Sequence, residues 1–201
     1  MAENTEQFDW IVLVKLGLEW LFADQQDIFV AGDLLWYPVE GDNKTRIAPD
    51  VLVAFGRPKG PRGSYLQWLE DGIPPHVVFE IVSPGNTVAE LIRKFEFYDR
   101  FGVEEYYVYD PDRHYLNGWR RVEGRLTEIP EMHGWVSARL GIRFEYIDRV
   151  LKLFGPNNQP FVSYVDLARQ WKLQQQRAEE ERQRVERLAA QLRALGVEPQ
   201  E

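Results

Sequence analysis

Cysteine is missing altogether from this 201-residue chain. That excludes disulfides, thiolate zinc sites, iron–sulfur clusters and thiol nucleophiles in one step. Histidine is nearly as scarce, since His76, His114 and His133 are scattered without metal-ligand spacing. Long apolar runs are lacking too. The best of them, Trp10 to Val14, stops at Lys15, far short of the ~20 residues that span a bilayer. The opening Met1-Ala2-Glu3-Asn4-Thr5-Glu6 is acidic where a secretory leader needs positive charge. A soluble cytoplasmic protein without a membrane partner is therefore expected. Positive charge is in deficit, with 24 Lys plus Arg against 32 Asp plus Glu and a net charge of −8. Nonspecific coating of nucleic acid is thereby excluded, and any such contact must be local. The sequence has no Walker loop, dinucleotide fingerprint, zincin helix or nucleophile elbow.

What is there suffices for a core. Hydrophobic residues make up 44% and aromatics 13%, and the length fits one domain with an appendage. Phe8, Ile11, Val12 and Leu16 recur at helical spacing within residues 7–23, predicting a leading helix whose further apolar residues imply cover on more than one side. Residues 28–37 are rich in β-formers around Gly32 and predict one kinked strand, and Ile47 to Phe55 predicts another with Pro49 near its start. The Gly- and Pro-rich residues 56–64 form a loop. His76-Val77-Val78-Phe79-Glu80-Ile81-Val82 reads as a central strand covered on both faces. Thr87 to Phe101 predicts a helix with Leu91, Ile92, Phe95 and Tyr98 inward, an N-cap at Asn86 or Thr87, and Gly102 as its stop. Glu105 to Tyr109 is the next strand, with shorter ones around Trp119, Leu126 and Phe144. The order α-β-β-β-α-β with extra strands points to an α/β sandwich.

Glu80 is the anomaly in that order, because an ionised carboxylate in a dry strand costs several kcal/mol unless it is paired, protonated or bound to metal. Asp50 stands at the start of a neighbouring strand, and adjacent strands lie about 5 Å apart. Two carboxylates can converge there, raising one pKa or holding a divalent cation, and oxygen ligands without His or Cys favour Mg²⁺ or Mn²⁺. Glu90 and Lys94 share one face of the following helix at i, i+4, within reach of the acids. The competing interpretation is structural: a turn Asp after Pro and a surface helix pair.

Pro49-Asp50-Val51, Val78-Phe79-Glu80-Ile81-Val82-Ser83-Pro84, Lys94-Phe95-Glu96-Phe97-Tyr98 and Gly102 through Pro111 together resemble the Uma-type restriction endonuclease family, once filed as a domain of unknown function. The likeness runs from about Ile28 to about Pro111 and more loosely beyond. It implies the restriction-endonuclease-like fold named for a Pro-Asp, then Asp or Glu, any residue, Lys signature. It also implies an α-β-β-β-α-β core, Mg²⁺ or Mn²⁺ at paired acids, and hydrolysis of DNA phosphodiester bonds. By position Asp50 and Glu80 are the metal ligands. Val82 replaces the signature lysine, and Lys94 matches the helix lysine that Uma-type sequences carry instead. Glu90 lies near a further family acid, and Glu19 is the nearest acid on the first helix.

Arg57, Lys59 and Arg62 are candidate phosphate contacts in the loop after the Asp50 strand, with a solvated loop tip as the alternative. Tyr65 and Trp68 are expected to anchor that loop to the core. The restriction-endonuclease-like domain is expected over residues 1–165 and an amphipathic C-terminal helix over 166–201. Residues 169–195 hold seven basic and four acidic residues, and a heptad register places Trp171, Ala178, Val185 and Leu192 at a, and Gln174, Glu181, Leu188 and Leu195 at d. A solvated helix and a homodimeric coiled coil both fit that pattern. Two functions from different classes follow: a metal-dependent DNA endonuclease, or a noncatalytic nuclease-fold interaction module acting through the C-terminal helix.

Overall fold

The computed structural model describes residues 4–147 and 150–194, with nothing said of the side chains of residues 192 and 193. The a-position Leu192 side chain and the d-position Leu195 of the heptad register thus lie outside the described residues. Two compact units divide the chain, Met1–Phe161 and Val162–Glu201. The first opens with helix α1 (Thr5–Leu21), capped by the Asn4 side chain, which accepts from Gln7 N–H. Strands β1 (Ile28–Gly32), β2 (Trp36–Tyr37), β3 (Val51–Phe55), β4 (Tyr65–Leu66) and β5 (Val77–Ile81) follow, then helix α2 (Val88–Arg100). Strands β6 (Glu105–Asp110), β7 (Tyr115–Val122), β8 (Arg125–Glu128), β9 (Arg143–Ile147) and β10 (Val150–Phe154) complete the unit. The second unit is helix α3 (Tyr164–Ala194). Among the described residues no helix is long and apolar enough to cross a membrane.

One mixed sheet runs β1-β3-β5-β6-β7-β8. Strands β5 and β6 are parallel and the other neighbours antiparallel, because α2 supplies the crossover that a parallel pair requires. Every residue of β5 and β6 is buried. Alternation along the strands then sends Val51, Val53, Phe79 and Ile81 to a core shared with α1 and the β9–β10 hairpin, and Leu52, Ala54 and Val78 to one shared with α2. Asp50 and Glu80 fall, by the same alternation, on the α2 face.

Three expectations change. Residues 28–37 are two strands in different sheets: β1 ends at Gly32, Asp33 takes a left-handed φ of 48°, and β2 pairs with β4. The row α1 buries is Gln7, Ile11, Val14 and Leu18, leaving Phe8 and Leu16 exposed. A helix apolar nearly all round does not announce which side meets the sheet. On α2, Tyr98 is buried and Phe95 half-buried, but Ile92 is 53% exposed. Gly102 ends that helix with φ 92°, a conformation that suits a residue without Cβ.

Candidate active site

Asp50 immediately precedes β3, and the β3–β5 register pairs Val51 with Phe79. One residue further along, Asp50 stands abreast of Glu80. Its backbone carbonyl accepts from Asp33 N–H at 3.1 Å, and its Oδ2 accepts from Ile81 N–H at 2.7 Å. The side chain thus ties the end of β5 where Pro49 has no N–H to offer. On the other side of Ile81, the buried Gln7 of α1 donates its Nε2 to the Ile81 carbonyl at 2.7 Å.

Glu80 is 2% exposed. Its two oxygens are taken by residues one turn apart on α2: Lys94 Nζ donates to Oε2 at 2.6 Å, and the Tyr98 hydroxyl donates to Oε1 in a short hydrogen bond. Helical i, i+4 spacing makes this two-point grip possible. Tyr98 is fixed between the rings of Trp36 at 6.3 Å and Tyr106 at 5.0 Å. Burial pushes Glu80 up to about 8 and the Asp50 charge adds to this, outweighing the pull of Lys94 and the hydrogen bonds from Lys94 and Tyr98. Burial also raises Asp50 against the opposing effects of Lys94, Ile81 N–H and Glu80. Lys94 goes up despite burial, because the Glu80 charge and hydrogen bond, then Asp50 and Glu90, hold its proton. Two acids side by side in a dry site, both shifted upward, behave as a coupled carboxyl pair.

Asp50, Glu80 and Lys94 are therefore brought together. Glu90 stands apart. It closes a capping box at the start of α2: its N–H donates to Thr87 Oγ1 at 3.2 Å, and its Oε2 accepts from Thr87 N–H at 2.9 Å. Those hydrogen bonds hold its carboxyl below the usual range. Glu19 pairs with Lys15 on the surface of α1 at 2.7 Å. Val82 carries no charge and its N–H enters the sheet at Tyr109. The loop cations lie after Phe55, at the opposite end of β3 from Asp50, and each is engaged there. Arg57 meets Asp71 at 2.6 Å, Lys59 Nζ donates to the Phe22 and Ala23 carbonyls, and Arg62 pairs with Glu70 at 2.6 Å and covers the Phe29 ring.

A different set of cations flanks Lys94. A groove of about 590 Å³ along α2 is lined by Lys44, Arg46, Arg93, Lys94 and Arg100, with Glu90 and Glu96 among them. The sequence offered no sign that the turn carrying Lys44 and Arg46 would meet α2. Tyr98 and Gln7 are the other members that sequence reasoning missed, Tyr98 because a helix aromatic at core spacing reads as packing. Among the described residues no group of three or more His, Cys, Asp or Glu could hold a metal ion. The chemistry of the pair itself, two hard oxygen donors abreast on adjacent strands, fits a divalent cation whose remaining ligands would be water and phosphate.

The model of the Uma2 family, described as "Putative restriction endonuclease", matches residues 11–146, which include Asp50, Glu80 and Lys94. Among solved structures, a protein from Anabaena variabilis, described as "a putative nuclease" of a family of unknown function, superposes with a TM-score of 0.51. The two are 15% identical over 69% of this chain and 74% of that one, a likeness of fold. None of the curated proteins compared with the chain matches it.

Proposed function

The chain belongs to the Uma2 family, and from that premise we propose that it is a metal-dependent endonuclease hydrolysing phosphodiester bonds of DNA. The observation that carries this reading is the meeting of Asp50, Glu80 and Lys94 from three elements at one buried point. Asp50 and Glu80 would hold Mg²⁺ or Mn²⁺, which supplies positive charge where negative charge grows during phosphodiester hydrolysis. Lys94 contributes a second, fixed positive charge to the same point and takes the place of the missing signature lysine at Val82. Tyr98 keeps Glu80 oriented, and Asp50 is oriented by Ile81 N–H. The groove of Lys44, Arg46, Arg93 and Arg100 supports contact with the phosphate backbone better than the 57–62 loop does, since it adjoins Lys94 and the loop cations are already paired.

Plasmid DNA incubated with the purified protein and Mg²⁺ or Mn²⁺ tests the reading. Nicking or linearisation that falls at least a hundredfold in both Asp50→Ala and Lys94→Ala supports it (roughly the loss when one transition-state charge contact is removed). Cleavage that survives both substitutions overturns it. A second reading, an interaction module working through residues 169–195, is favoured by one observation: every side chain from Tyr164 to Leu188 on α3 is exposed.

A further inference from the structure

Helix α1 packs on the sheet face opposite α2, yet one of its side chains reaches the strand end that carries Glu80. The row that α1 buries is aliphatic except at its first member, Gln7, which is 4% exposed. An amide buried there costs stability unless it is hydrogen-bonded. The β3–β5 pairing ends at Val51 with Phe79, so Glu80 and Ile81 run past the ladder, and continuing the register sets Pro49 opposite Ile81. Proline has no N–H to give. The two bonds that replace the ladder at Ile81 come from side chains: its N–H donates to Asp50 Oδ2 at 2.7 Å, and its carbonyl accepts from Gln7 Nε2 at 2.7 Å. Gln7 supplies the donor that Pro49 lacks.

We propose that Gln7 is a positioning residue for the metal site, fixing β5 at Ile81 so that Glu80 stays abreast of Asp50 when a divalent cation draws on both carboxylates. Asp50 is ill suited to hold that strand end alone, since one carboxylate is then asked to ligate the cation and to accept from Ile81 N–H at once. A strand tied only through its own metal ligand moves as the ligand turns. With Gln7 on the carbonyl, Ile81 is held at both of its polar groups, and Asp50 can turn toward the cation without Glu80 following.

A tie that served only to join helix and sheet could fall anywhere along β5. This one falls on the residue whose N–H orients Asp50 and whose neighbour is Glu80. Nor is Gln7 needed to seat the helix, because Asn4 caps α1 and Trp10 lies edge-on to the Tyr109 ring of β6 at 4.6 Å. Gln7 acts from behind β5, through the backbone, which is a positioning role rather than a catalytic one. That the cation so held serves DNA hydrolysis rests on the endonuclease reading; that Gln7 holds the strand end rests on the hydrogen bonds themselves.

The test uses the full chain with three substitutions. Gln7→Met keeps the length and removes the donor, Gln7→Asn keeps an amide one methylene too short, and Val14→Ala opens the same helix–sheet contact away from Ile81. Mn²⁺ affinity is read by calorimetry, Ile81 amide exchange by NMR on the metal-free protein, and plasmid cleavage over a range of DNA concentrations. Both Gln7 variants should bind Mn²⁺ about tenfold more weakly, the usual loss when a group that orients a ligand is removed. Their Ile81 amide should exchange faster, and cleavage should lose kcat with KM for DNA unchanged, because the cationic groove lies across the sheet along α2. Val14→Ala should melt lower yet bind Mn²⁺ like the wild type. Gln7 variants that bind Mn²⁺ as tightly as the wild type, or a Val14→Ala protein that loses as much affinity as they do, overturn the positioning role, and the endonuclease reading stands if all still cut. Failure of both Gln7 variants to fold assigns the amide to stability and overturns it too. If Mn²⁺ binds the wild type and weakens in the Gln7 variants alone, but no protein cuts DNA, the positioning role stands and the endonuclease reading falls. A wild type that binds no Mn²⁺ overturns both.

Discussion

Glu80 is a carboxyl group sealed inside a strand, so its proton is linked to the stability of the whole sheet. Its pKa rises from an ordinary 4.5 to about 8 on folding. Below pH 4.5 both folded and unfolded chains carry the proton and the difference vanishes. Between 4.5 and 8 only the folded chain keeps it, so stability falls as pH rises through this window and levels off above it. The expected loss between pH 5 and 9 is about 3 to 5 kcal/mol, measured by urea unfolding of the metal-free protein, and Glu80→Gln should flatten that slope. Tyr98→Phe removes the donor on Oε1, should cost about 1–2 kcal/mol, and should move the Glu80 titration further up, because that hydrogen bond favours the carboxylate. A divalent cation competes with the same protons. Calorimetry in buffers of different ionisation enthalpy should show proton release on Mn²⁺ binding and tighter binding at pH 8.5 than at pH 6.5. Binding that ignores pH would mean the metal sits elsewhere.

At the scale of the element, α2 is the part that assembles the site, and its capping box sets where Lys94 and Tyr98 fall over β5. Thr87→Ala should cost about 1 kcal/mol by urea unfolding. Glu90→Gln should leave both stability and cleavage near wild type, since a glutamine closes the box equally well. If Glu90→Gln instead abolishes cleavage while Thr87→Ala does not, Glu90 acts as a carboxylate in the reaction rather than as a cap. These local features were readable in the sequence because each has a short-range cause. An unbroken apolar run with one Glu declares a central strand, and Asn86-Thr87 ahead of an apolar-periodic stretch declares a helix start. The meeting of Asp50 with Glu80 was readable too, from Pro49 marking a strand entry. What could not be read depends on long-range closure. The pairing of β2 with β4 involves two residues each, too few to leave a period. The groove cations come from a turn and a helix about fifty residues apart. The 57–62 loop shows the converse, since a five-residue strand carries it about 17 Å from Asp50, a consequence of strand length that overrides its attractive charge.

For the whole molecule the outstanding question is what α3 is for. It runs 31 residues from Tyr164 to Ala194 and exposes Trp171, Val185 and Leu188 by half or more. Ion pairs within the helix, Arg182 with Glu179 at 3.2 Å and Arg182 with Glu186 at 3.9 Å, stabilise it by only a few tenths of a kcal/mol each. A solvated rod resting on such pairs is marginal. In the heptad register Trp171, Ala178 and Val185 at a and Leu188 at d would line a seam for a second copy, which Gln174 and Glu181 at d would weaken. A dimer also suits an endonuclease, because cutting both strands of a duplex takes two active sites. The expected outcome is a full-length dimer in sedimentation equilibrium at micromolar concentration, with Val185→Asp/Leu188→Asp shifting the mass to that of a monomer. The same pair should lower the helical circular dichroism signal at 222 nm, as a helix deprived of its partner frays. Each variant monomer keeps one acid pair, so it should still nick supercoiled plasmid while losing most of its ability to linearise it. A full-length chain that sediments as a monomer, with ellipticity that the double substitution leaves unchanged, would show instead that α3 stands by itself in solvent and that both strands are cut, where they are, in separate encounters.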